Sequence, residues 1–212
     1  MLRPQVLDPN QVQKFLVEAR RDRLYSLFVV WIDTGMREGE LFGLLWSDVD
    51  WNGNAIQIVR GLEETRGRFA LKDLKTKKSR RRVALSAFAM EALAEHRKAM
   101  LAEGNYKPDS PIFCDTQGGF LRKSNFLRRN FRPLLARAGL PPIRPYDLRH
   151  SSATLLLLAG EDSRIVAERL GHSTTRLTQD TYQHVLPGMQ ERAASKLDAI
   201  FRQATTAKAA IG

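Results

Sequence analysis

The chain has 212 residues and a hydrophobic content of 43%, which is enough to bury the core of one large domain or two small ones. Its 34 Lys and Arg residues outnumber 23 Asp and Glu residues, and the net charge of +11 favours a polyanionic partner, nucleic acid ahead of an anionic membrane. A single cysteine, Cys114, excludes an internal disulfide, and because neither a signal peptide nor a bilayer-spanning apolar stretch is visible, we expect a cytoplasmic protein.

The N-terminal part of the chain predicts two helices. Asp8 caps the first and Gln11 completes a capping box, while the second helix is more apolar and ends at Gly35. Arg37 and Glu40 follow at helical spacing in the turn TGMREGEL. The pair fits either a solvated ion pair or a phosphate-binding Arg37 that Glu40 orients, and the spacing by itself favours the ion pair.

A strand pattern begins at Trp46 and continues to Leu85. Its second half contains a run of basic residues, namely Lys72, Lys75, Lys77, Lys78, Arg80, Arg81 and Arg82. Such a run is either a solvated segment or a basic β-hairpin that follows a nucleic-acid backbone, and the strand-like flanks make the hairpin at least an equal alternative. A lysine at the tip of this hairpin would be suited to donate a proton.

Two further helices are expected in the middle of the chain. The first begins at Ser86 and ends near Gly104, and its His96 is predicted to lie at the surface. The segment PIFCD is then predicted to be a short buried strand. The second helix, Lys123–Ala138, is strongly basic and is therefore a candidate DNA-facing element. Its predicted inward residues are Phe126, Phe131, Leu134 and Leu135, with Arg128, Arg129, Arg132 and Arg137 on its other faces.

The segment from Arg144 to Val185 contains the residue types best suited to chemistry. A helix that begins at the proline of RPYDLRH places Tyr146 and Arg149 on one face. The next helix is capped by Asp162 and ended by the glycine of LGH, which leaves His172 in the turn. Tyr182 follows in a polar run. The residues of these two helices that are predicted to face the core are Leu148, Ser152, Leu155, Ala159, Ile165, Val166 and Leu170.

Arginine, histidine and tyrosine together suggest phosphate chemistry without a metal. Arginine forks bind phosphate oxygens through paired N–H groups and stay charged at any working pH. A tyrosine hydroxyl can attack phosphorus, but its ordinary pKa of about 10 requires neighbours that favour the phenolate or accept its proton. The sequence shows neither a metal-ligand spacing nor a glycine-rich phosphate loop, so we expect no cofactor.

Four segments in order, TGMREGEL, KTKKSRR, PYDLRH and LGH followed by TY, resemble the tyrosine recombinases of the phage integrase group. The resemblance implies a catalytic domain over residues 1–212, with a tail helix in residues 188–212 and without the N-terminal DNA-clamping domain of the family. It implies a mainly α (α+β) fold with a small antiparallel sheet of about three strands on one edge, which bears the basic hairpin. It also implies double-stranded DNA as partner, a tetramer on DNA, DNA-bending accessory proteins, and a bacterial or phage origin.

The resemblance also assigns roles. Tyr182 would attack the scissile phosphate and form a 3′-phosphotyrosyl link, while Arg37 and Arg149 would bind the nonbridging oxygens. Lys75, with Lys77 as alternative, would protonate the leaving 5′ oxygen, and His172 would bond the same phosphate. Tyr146 stands where the family usually has histidine and is expected to act as a positioning ligand. The expected DNA contacts are Lys72, Lys77, Lys78, Arg80, Arg81, Lys123, Arg128 and Arg129.

Other functions remain open at this level. The same residues could grip phosphates in a non-catalytic DNA-binding module, or act in a type IB topoisomerase, which shares the chemistry. Arg149 could instead be a buried ion-pair partner of Asp147 or Glu161. These alternatives differ in what the side chains should contact.

Overall fold

The computed structural model describes residues 5–74, 79–172 and 174–176, together with residues 191, 194–195 and 197–199. This part of the chain is mainly helical with small antiparallel sheets, which confirms the predicted fold class. No helix within it is both long and apolar enough to cross a membrane. The helices are α1 (Pro9–Ala19), α2 (Tyr25–Thr34), α3 (Glu38–Phe42), α4 (Ala87–Ala102), α5 (Lys123–Phe126), α6 (Arg132–Arg137), α7 (Pro145–Leu158) and α8 (Ser163–Leu170), with a 3-10 turn (Trp46–Asp48) and a π-helical turn (Leu127–Phe131).

The ends predicted for α1, α2 and α8 are confirmed, while those of the tail helix predicted in residues 188–212 lie outside the described residues. Asp8 Oδ1 accepts a bond from the Gln11 amide at 2.9 Å, and Gln11 Oε1 accepts one from the Asp8 amide at 3.0 Å, which completes the capping box of α1. Helices α2 and α8 end at Gly35 (φ +61°) and Gly171 (φ +69°). This left-handed conformation favours glycine, and it turns the chain directly into the segments that carry the site residues.

Helix α2 is the centre of the core and packs between α4 and α7. Its Leu27, Phe28, Val30 and Trp31 are completely buried. Each such side chain contributes roughly 1.5–3 kcal/mol relative to exposure, so α2 is a firmly held platform. The turn that follows it, and the helix α7 that lies against it, therefore start from fixed positions.

The basic helix predicted over Lys123–Ala138 is interrupted by the π-helical turn. Pro133 has no amide N–H to donate to a carbonyl one turn earlier, and the π turn lies just before it. Phe126 and Phe131, five residues apart, are stacked with their ring centroids 6.1 Å apart, a spacing that the wider turn places on one side. The four residues predicted to face inward are all buried.

The strands form two separate sheets rather than one. The strands are β1 (Val49–Asp50), β2 (Ala55–Ile58), β3 (Arg60–Thr65), β4 (Arg68–Asp73) and β5 (Arg81–Ala84). The three-stranded sheet has the order β1-β2-β5, and β3 pairs only with β4, all antiparallel. The predicted basic hairpin is therefore wrong: β4 and β5 flank the lysine run but pair with other strands. The hairpin turn lies instead at Arg66 (φ +50°) and Gly67 (φ +78°), both left-handed as a tight two-residue turn requires.

The prediction that His96 lies at the surface is also wrong. His96 is only 5% exposed and belongs to what we call the aromatic cluster, formed with Trp46, Trp51, Tyr106 and Phe113. Its Nε2 lies 2.7 Å from the Ile112 carbonyl, which satisfies the ring in the interior. Ile112, in the PIFCD segment, is buried as predicted, but that segment forms isolated bridges rather than a strand.

Helices α7 and α8 bury most of their predicted inward residues. Leu148, Ser152, Val166 and Leu170 are buried, and Leu155 is partly buried. The exceptions, Ile165 and Ala159, are exposed, because the buried face of α8 follows residues 166, 167 and 170 and α7 ends at residue 158.

Candidate active site at the end of helix α8

Helix α8 ends with three consecutive carbonyl oxygens, each of which accepts a hydrogen bond from a different arginine. The last carbonyls of a helix have no partner within it and carry the negative end of the helix dipole, so they attract guanidinium groups. The bonds are Arg81 Nε to Arg169 O at 2.8 Å, Arg149 Nη1 to Leu170 O at 2.8 Å, and Arg37 Nη2 to Gly171 O at 3.3 Å. Residues from the turn before α3, from β5 and from α7 thus meet at one helix end.

Arg149 is the most buried of these arginines, with 1% of its surface exposed. Its Nη1 donates to Gly35 O at 2.7 Å as well as to Leu170 O. Its Nη2 is buried and has no hydrogen-bond partner among the described residues. An unsatisfied buried donor costs about 1–3 kcal/mol, and more when charged, so this nitrogen is suited to receive an acceptor from a ligand.

Arg149 is not the ion-pair partner of a neighbouring carboxylate. Asp147 pairs with Arg144 at 2.8 Å, and Glu161 is exposed. Burial lowers the pKa of Arg149 to about 10; the Tyr146 hydroxyl acts in the opposite direction, and the charge of Arg37 adds to the lowering. The guanidinium therefore remains charged at neutral pH despite its burial.

Glu40 joins Arg37 to Arg81. The Glu40 carboxylate accepts from Arg37 Nη1 at 2.8 Å, from the Arg37 amide at 2.9 Å, and from Arg81 Nη2 at 2.9 Å. Burial alone would raise the pKa of Glu40, but the bonds and charges of Arg81 and Arg37 outweigh it and hold the pKa below its ordinary value. The predicted contact of Glu40 with Arg37 is confirmed, and Glu40 is ionised.

We call Arg37, Arg81, Arg149 and Glu40 the arginine cluster. In the described part of the chain, Glu40 is the only carboxylate that pairs with any of its three guanidinium groups. The cluster therefore carries two positive charges that these residues do not neutralise. Arg37, whose side chain is 43% exposed, opens it to solvent. A partly buried excess of positive charge attracts an anion strongly.

His172 follows the glycine that ends α8 and lies half-buried beside the cluster. Its amide donates to Ala167 O at 2.9 Å, which fixes the turn. Burial first, and then the charges of Arg149 and Arg37, lower the pKa of His172 to about 4. The imidazole is thus neutral at neutral pH, and a nearby anion would raise its pKa.

Tyr146 lies in the first turn of α7, close to Arg149, and is 45% exposed. Its ring meets that of His150 edge to face, with the ring centroids 5.1 Å apart. Burial lowers the pKa of His150, and the charge of Arg149 lowers it further while that of Asp147 opposes them. Tyr146 therefore presents a hydroxyl, and no cation, at the edge of the cluster.

The structure brings together four of the six predicted catalytic residues, namely Arg37, Tyr146, Arg149 and His172. Tyr182, Lys75 and the alternative Lys77 lie outside the described residues. Arg81 is a member of the cluster that sequence reasoning missed in this role. Strand alternation could have found it, because a period of two places Arg81 on the same face of β5 as the buried Val83.

The predicted DNA contacts fall into four groups. Lys72, Arg80 and Lys123 are exposed but pair with Glu63, Asp73 and Glu38. Arg128 and Arg129 are exposed and form no ion pair with another described residue, while Lys77 and Lys78 lie outside the described residues. The fourth group is Arg81 alone, whose side chain is only 6% exposed and is turned into the cluster.

No group of three His, Cys, Asp or Glu side chains suited to hold a metal ion occurs among the residues the structure describes. Fold and site together define a helical domain with an anion site built from arginines and a neutral histidine. The model of the phage integrase family matches residues 5–189, which is most of the chain. The chain therefore belongs to the phage integrase family, and the matched region is a tyrosine recombinase catalytic domain.

Two relatives illustrate the similarity. The chain is 30% identical over 210 residues to a XerC-like tyrosine recombinase of Caldanaerobacter subterraneus subsp. tengcongensis, covering 91% of this chain and 53% of the relative. It is 33% identical over 199 residues to the ICEBs1 integrase of Bacillus subtilis, covering 90% and 53%. The chain thus spans about half the length of the curated relatives it matches.

Among solved structures, the chain is similar in fold to the Tn1549 transposon integrase bound to circular intermediate DNA. The TM-score is 0.79 at 21% identity, and the match covers 93% of this chain and 68% of that one. At this identity the likeness concerns the fold, which agrees with the arrangement of helices and sheets described above.

Proposed function

We propose that this chain catalyses site-specific recombination, in which DNA strands are cleaved and rejoined through a 3′-phosphotyrosyl intermediate. Membership of the family supports the reaction class. The structural observation that supports it best is the buried Nη2 of Arg149, which has no hydrogen-bond partner among the described residues, beside the more exposed guanidinium of Arg37. Two arginines of this kind suit the two nonbridging oxygens of one phosphate.

The charge of the site fits the reaction. A phosphodiester carries one negative charge and its five-coordinate transition state carries about two, and the arginine cluster has two positive charges not neutralised by described residues. The cluster therefore complements the transition state better than the bound substrate, which is the condition for catalysis. His172, neutral with a pKa of about 4, would add a hydrogen bond to the same phosphate.

In the proposed step, the Tyr182 oxygen bonds to phosphorus while the bond from phosphorus to the 5′ oxygen breaks. The phenol proton leaves to a base, and the 5′ oxygen receives a proton from Lys75, or from Lys77. Tyr146 positions the phosphate and does not transfer the proton, because tyrosine is a poor general base at neutral pH. Attack by a 5′ hydroxyl reverses the step, which conserves the phosphodiester energy, so no nucleotide cofactor is required.

The partner in this proposal is duplex DNA, bound by a tetramer of the recombinase and assisted by DNA-bending proteins. Exposed Arg128 and Arg129 are suited to contact the backbone, along with Lys72, Arg80 and Lys123 once they exchange their surface ion pairs for phosphates. Binding should fall steeply as salt rises. An affinity for duplex DNA that does not change with salt would contradict this part of the proposal.

A suicide substrate tests the reaction. The substrates are duplexes with a randomised core and a nick close to it. Cleavage beside the nick releases a short strand that carries the 5′ hydroxyl, so religation cannot occur. A covalent protein–DNA adduct therefore accumulates, and it survives denaturation. We expect an adduct with the unsubstituted chain, and none with Tyr182→Phe. Tyr25→Phe is the matched control, because Tyr25 begins α2, stacks on Arg20 and is remote from the cluster.

Two outcomes would overturn the proposal. One is DNA binding without an adduct, which would indicate a non-catalytic DNA-binding module. The other is an adduct that persists in Tyr182→Phe, which would assign the covalent link to another residue. For Tyr146, a Tyr146→Phe variant that loses as much cleavage as Arg149→Ala would overturn its role as a positioning ligand.

A further inference from the structure

Arg81 is a buried cation with every nitrogen bonded within the protein. Its Nε donates to Arg169 O at 2.8 Å, and its Nη2 donates to Glu40 Oε2 at 2.9 Å. Its Nη1 donates to Ser79 O at 3.1 Å and to Glu40 Oε1 at 3.3 Å. With a side chain only 6% exposed, Arg81 is placed to organise the protein and not to bind DNA.

The three acceptors of Arg81 belong to three segments that carry predicted catalytic residues. Glu40 holds Arg37 through two further bonds. Arg169 lies in the last turn of α8, just before His172. Ser79 is the first described residue after the segment that contains Lys75. The Arg81 guanidinium therefore connects three segments: the one with Arg37, the one that leads to His172, and the one that follows Lys75.

Gly171 permits this close approach. A Cβ atom built at Gly171 would lie 2.8 Å from Arg81 Nη1 and 2.9 Å from Arg81 Cζ. The guanidinium thus packs against the backbone of the turn, in space that any other residue would fill. The glycine of LGH ends the helix, and it also makes room for Arg81.

We propose that Arg81 is a positioning residue of the active site, which holds Glu40, the turn before His172 and the end of the lysine-bearing segment in one arrangement. Its catalytic consequence rests on the function proposed above. A lysine at this position would keep the charge but would lose the planar fork that reaches several acceptors at once. Without the fork, one side chain can no longer bond Glu40 and the Arg169 carbonyl at the same time, and the geometry of Arg37 loosens.

The first test measures the anion site without DNA. The arginine Nε–H signals of Arg37 and Arg149 are followed by NMR during titration of the full chain with orthovanadate. We expect Arg81→Lys to weaken vanadate binding by about tenfold or more, the lower end of the range for residues that orient metal ligands. Arg82→Lys is the matched control, because Arg82 is the next residue of β5 and forms an exposed pair with Asp50.

The second test measures the reaction. With the suicide substrate, Arg81→Lys should slow adduct formation by about ten- to a hundredfold. Its affinity for duplex DNA, measured in parallel, should stay within about twofold of the unsubstituted chain, because Arg81 makes no surface contact. A merely structural loss would reduce the amount of active protein and leave the rate of the remaining active fraction unchanged.

The outcomes separate the two proposals. If the unsubstituted chain binds vanadate but forms no adduct, the proposed reaction fails and the vanadate titration alone decides the role of Arg81. If Arg81→Lys matches Arg82→Lys in vanadate affinity, the positioning role is overturned. No vanadate response at Arg37 and Arg149 in the unsubstituted chain would overturn both proposals.

A second variant is available if Arg81→Lys does not fold. Gly171→Ala keeps the arginine at position 81, but the added Cβ displaces its guanidinium from the turn after α8. Gly139→Ala is its control, because Gly139 has a similar φ of +63° and nothing within 4 Å of a built Cβ. Weaker vanadate binding in Gly171→Ala than in Gly139→Ala supports the inference, and equal binding overturns it.

Discussion

One histidine with a lowered pKa lies in the aromatic cluster and another lies beside the arginine cluster, yet the two regions differ in their charge. His96 stacks between Trp46 and Phe113, with centroids 5.8 and 5.6 Å away, and its Nε2 bonds to a carbonyl. His172 lies beside three cations and one carboxylate. A lowered histidine pKa is thus common to both regions. The excess of positive charge is what distinguishes a binding site from a packed interior.

The largest effect is expected from Arg149→Lys. A lysine can still reach Gly35 O or Leu170 O, but it cannot also offer a second nitrogen to a phosphate oxygen. We expect the rate of adduct formation to fall about 10²–10³-fold, the range for removal of one preorganised donor at a developing charge.

Arg97→Lys is the counterpart in the other region. The Arg97 guanidinium lies 5.2 Å from the Trp51 ring and 5.0 Å from the Tyr106 ring. Its replacement should lower the free energy of unfolding by about 0.5–1 kcal/mol and leave adduct formation within about twofold. If Arg97→Lys and Arg149→Lys reduced the rate of adduct formation equally, the difference proposed between the two regions would be wrong.

Gly171→Ala should produce the next largest effect, now on stability. Its left-handed φ costs roughly 1–2 kcal/mol for a residue with a Cβ, and displacement of the Arg81 guanidinium adds to that. Urea unfolding should show a larger loss for Gly171→Ala than for Gly139→Ala, which has the φ cost without the contact. If both variants had the same midpoint of urea unfolding, displacement of the Arg81 guanidinium would not destabilise the chain.

Acid should destabilise the folded chain through both histidines. Burial lowers the pKa of His96, and burial with neighbouring arginines lowers that of His172 to about 4, so below about pH 6.5 the unfolded chain binds protons that the folded chain does not. Each histidine then removes up to about 1.4 kcal/mol of stability per pH unit, until its folded pKa is reached. Unfolding by urea between pH 7 and 5 should be less pH-dependent in His96→Gln.

The smallest effect separates the two histidines. An anion bound in the arginine cluster should raise the pKa of His172, whereas the pKa of His96, which is enclosed by aromatic rings, should not change. Imidazole NMR titrations with and without phosphate measure both values. By linkage, phosphate should then bind more tightly as the pH falls through the pKa of His172 in the bound state. A response at His96 equal to that at His172 would indicate a general salt effect.

Local patterns predicted the helices and their ends well. The capping box at Asp8 and the glycines at 35 and 171 are encoded within a few residues, and each is found where expected. The hairpin turn was missed because Arg66, which is not glycine, adopts a positive φ. The surface prediction for His96 failed because its acceptor, the Ile112 carbonyl, comes from a segment with no regular pattern.

The site was only partly predictable, because local motifs can be recognised in a sequence and contacts between distant residues cannot. Arg37, Arg149 and His172 stand in short motifs, whereas Arg81 stood in a run of basic residues that suggested DNA contact. Two of its three acceptor residues are distant in the sequence, namely Glu40 at 41 residues and Arg169 at 88 residues. Only the folded chain shows that one arginine of that run is turned inward.

The main-chain bonds at the end of α8 limit how the sequence of this helix can vary between related proteins. Every residue type has the same carbonyl oxygen. The end of α8 therefore binds the three arginines through its main chain, and these bonds do not depend on which side chains the helix carries. Substitutions on its outer face leave those oxygens where they are. Insertion or deletion of a single residue within it would rotate its end by about 100°, and would turn all three oxygens away from their donors.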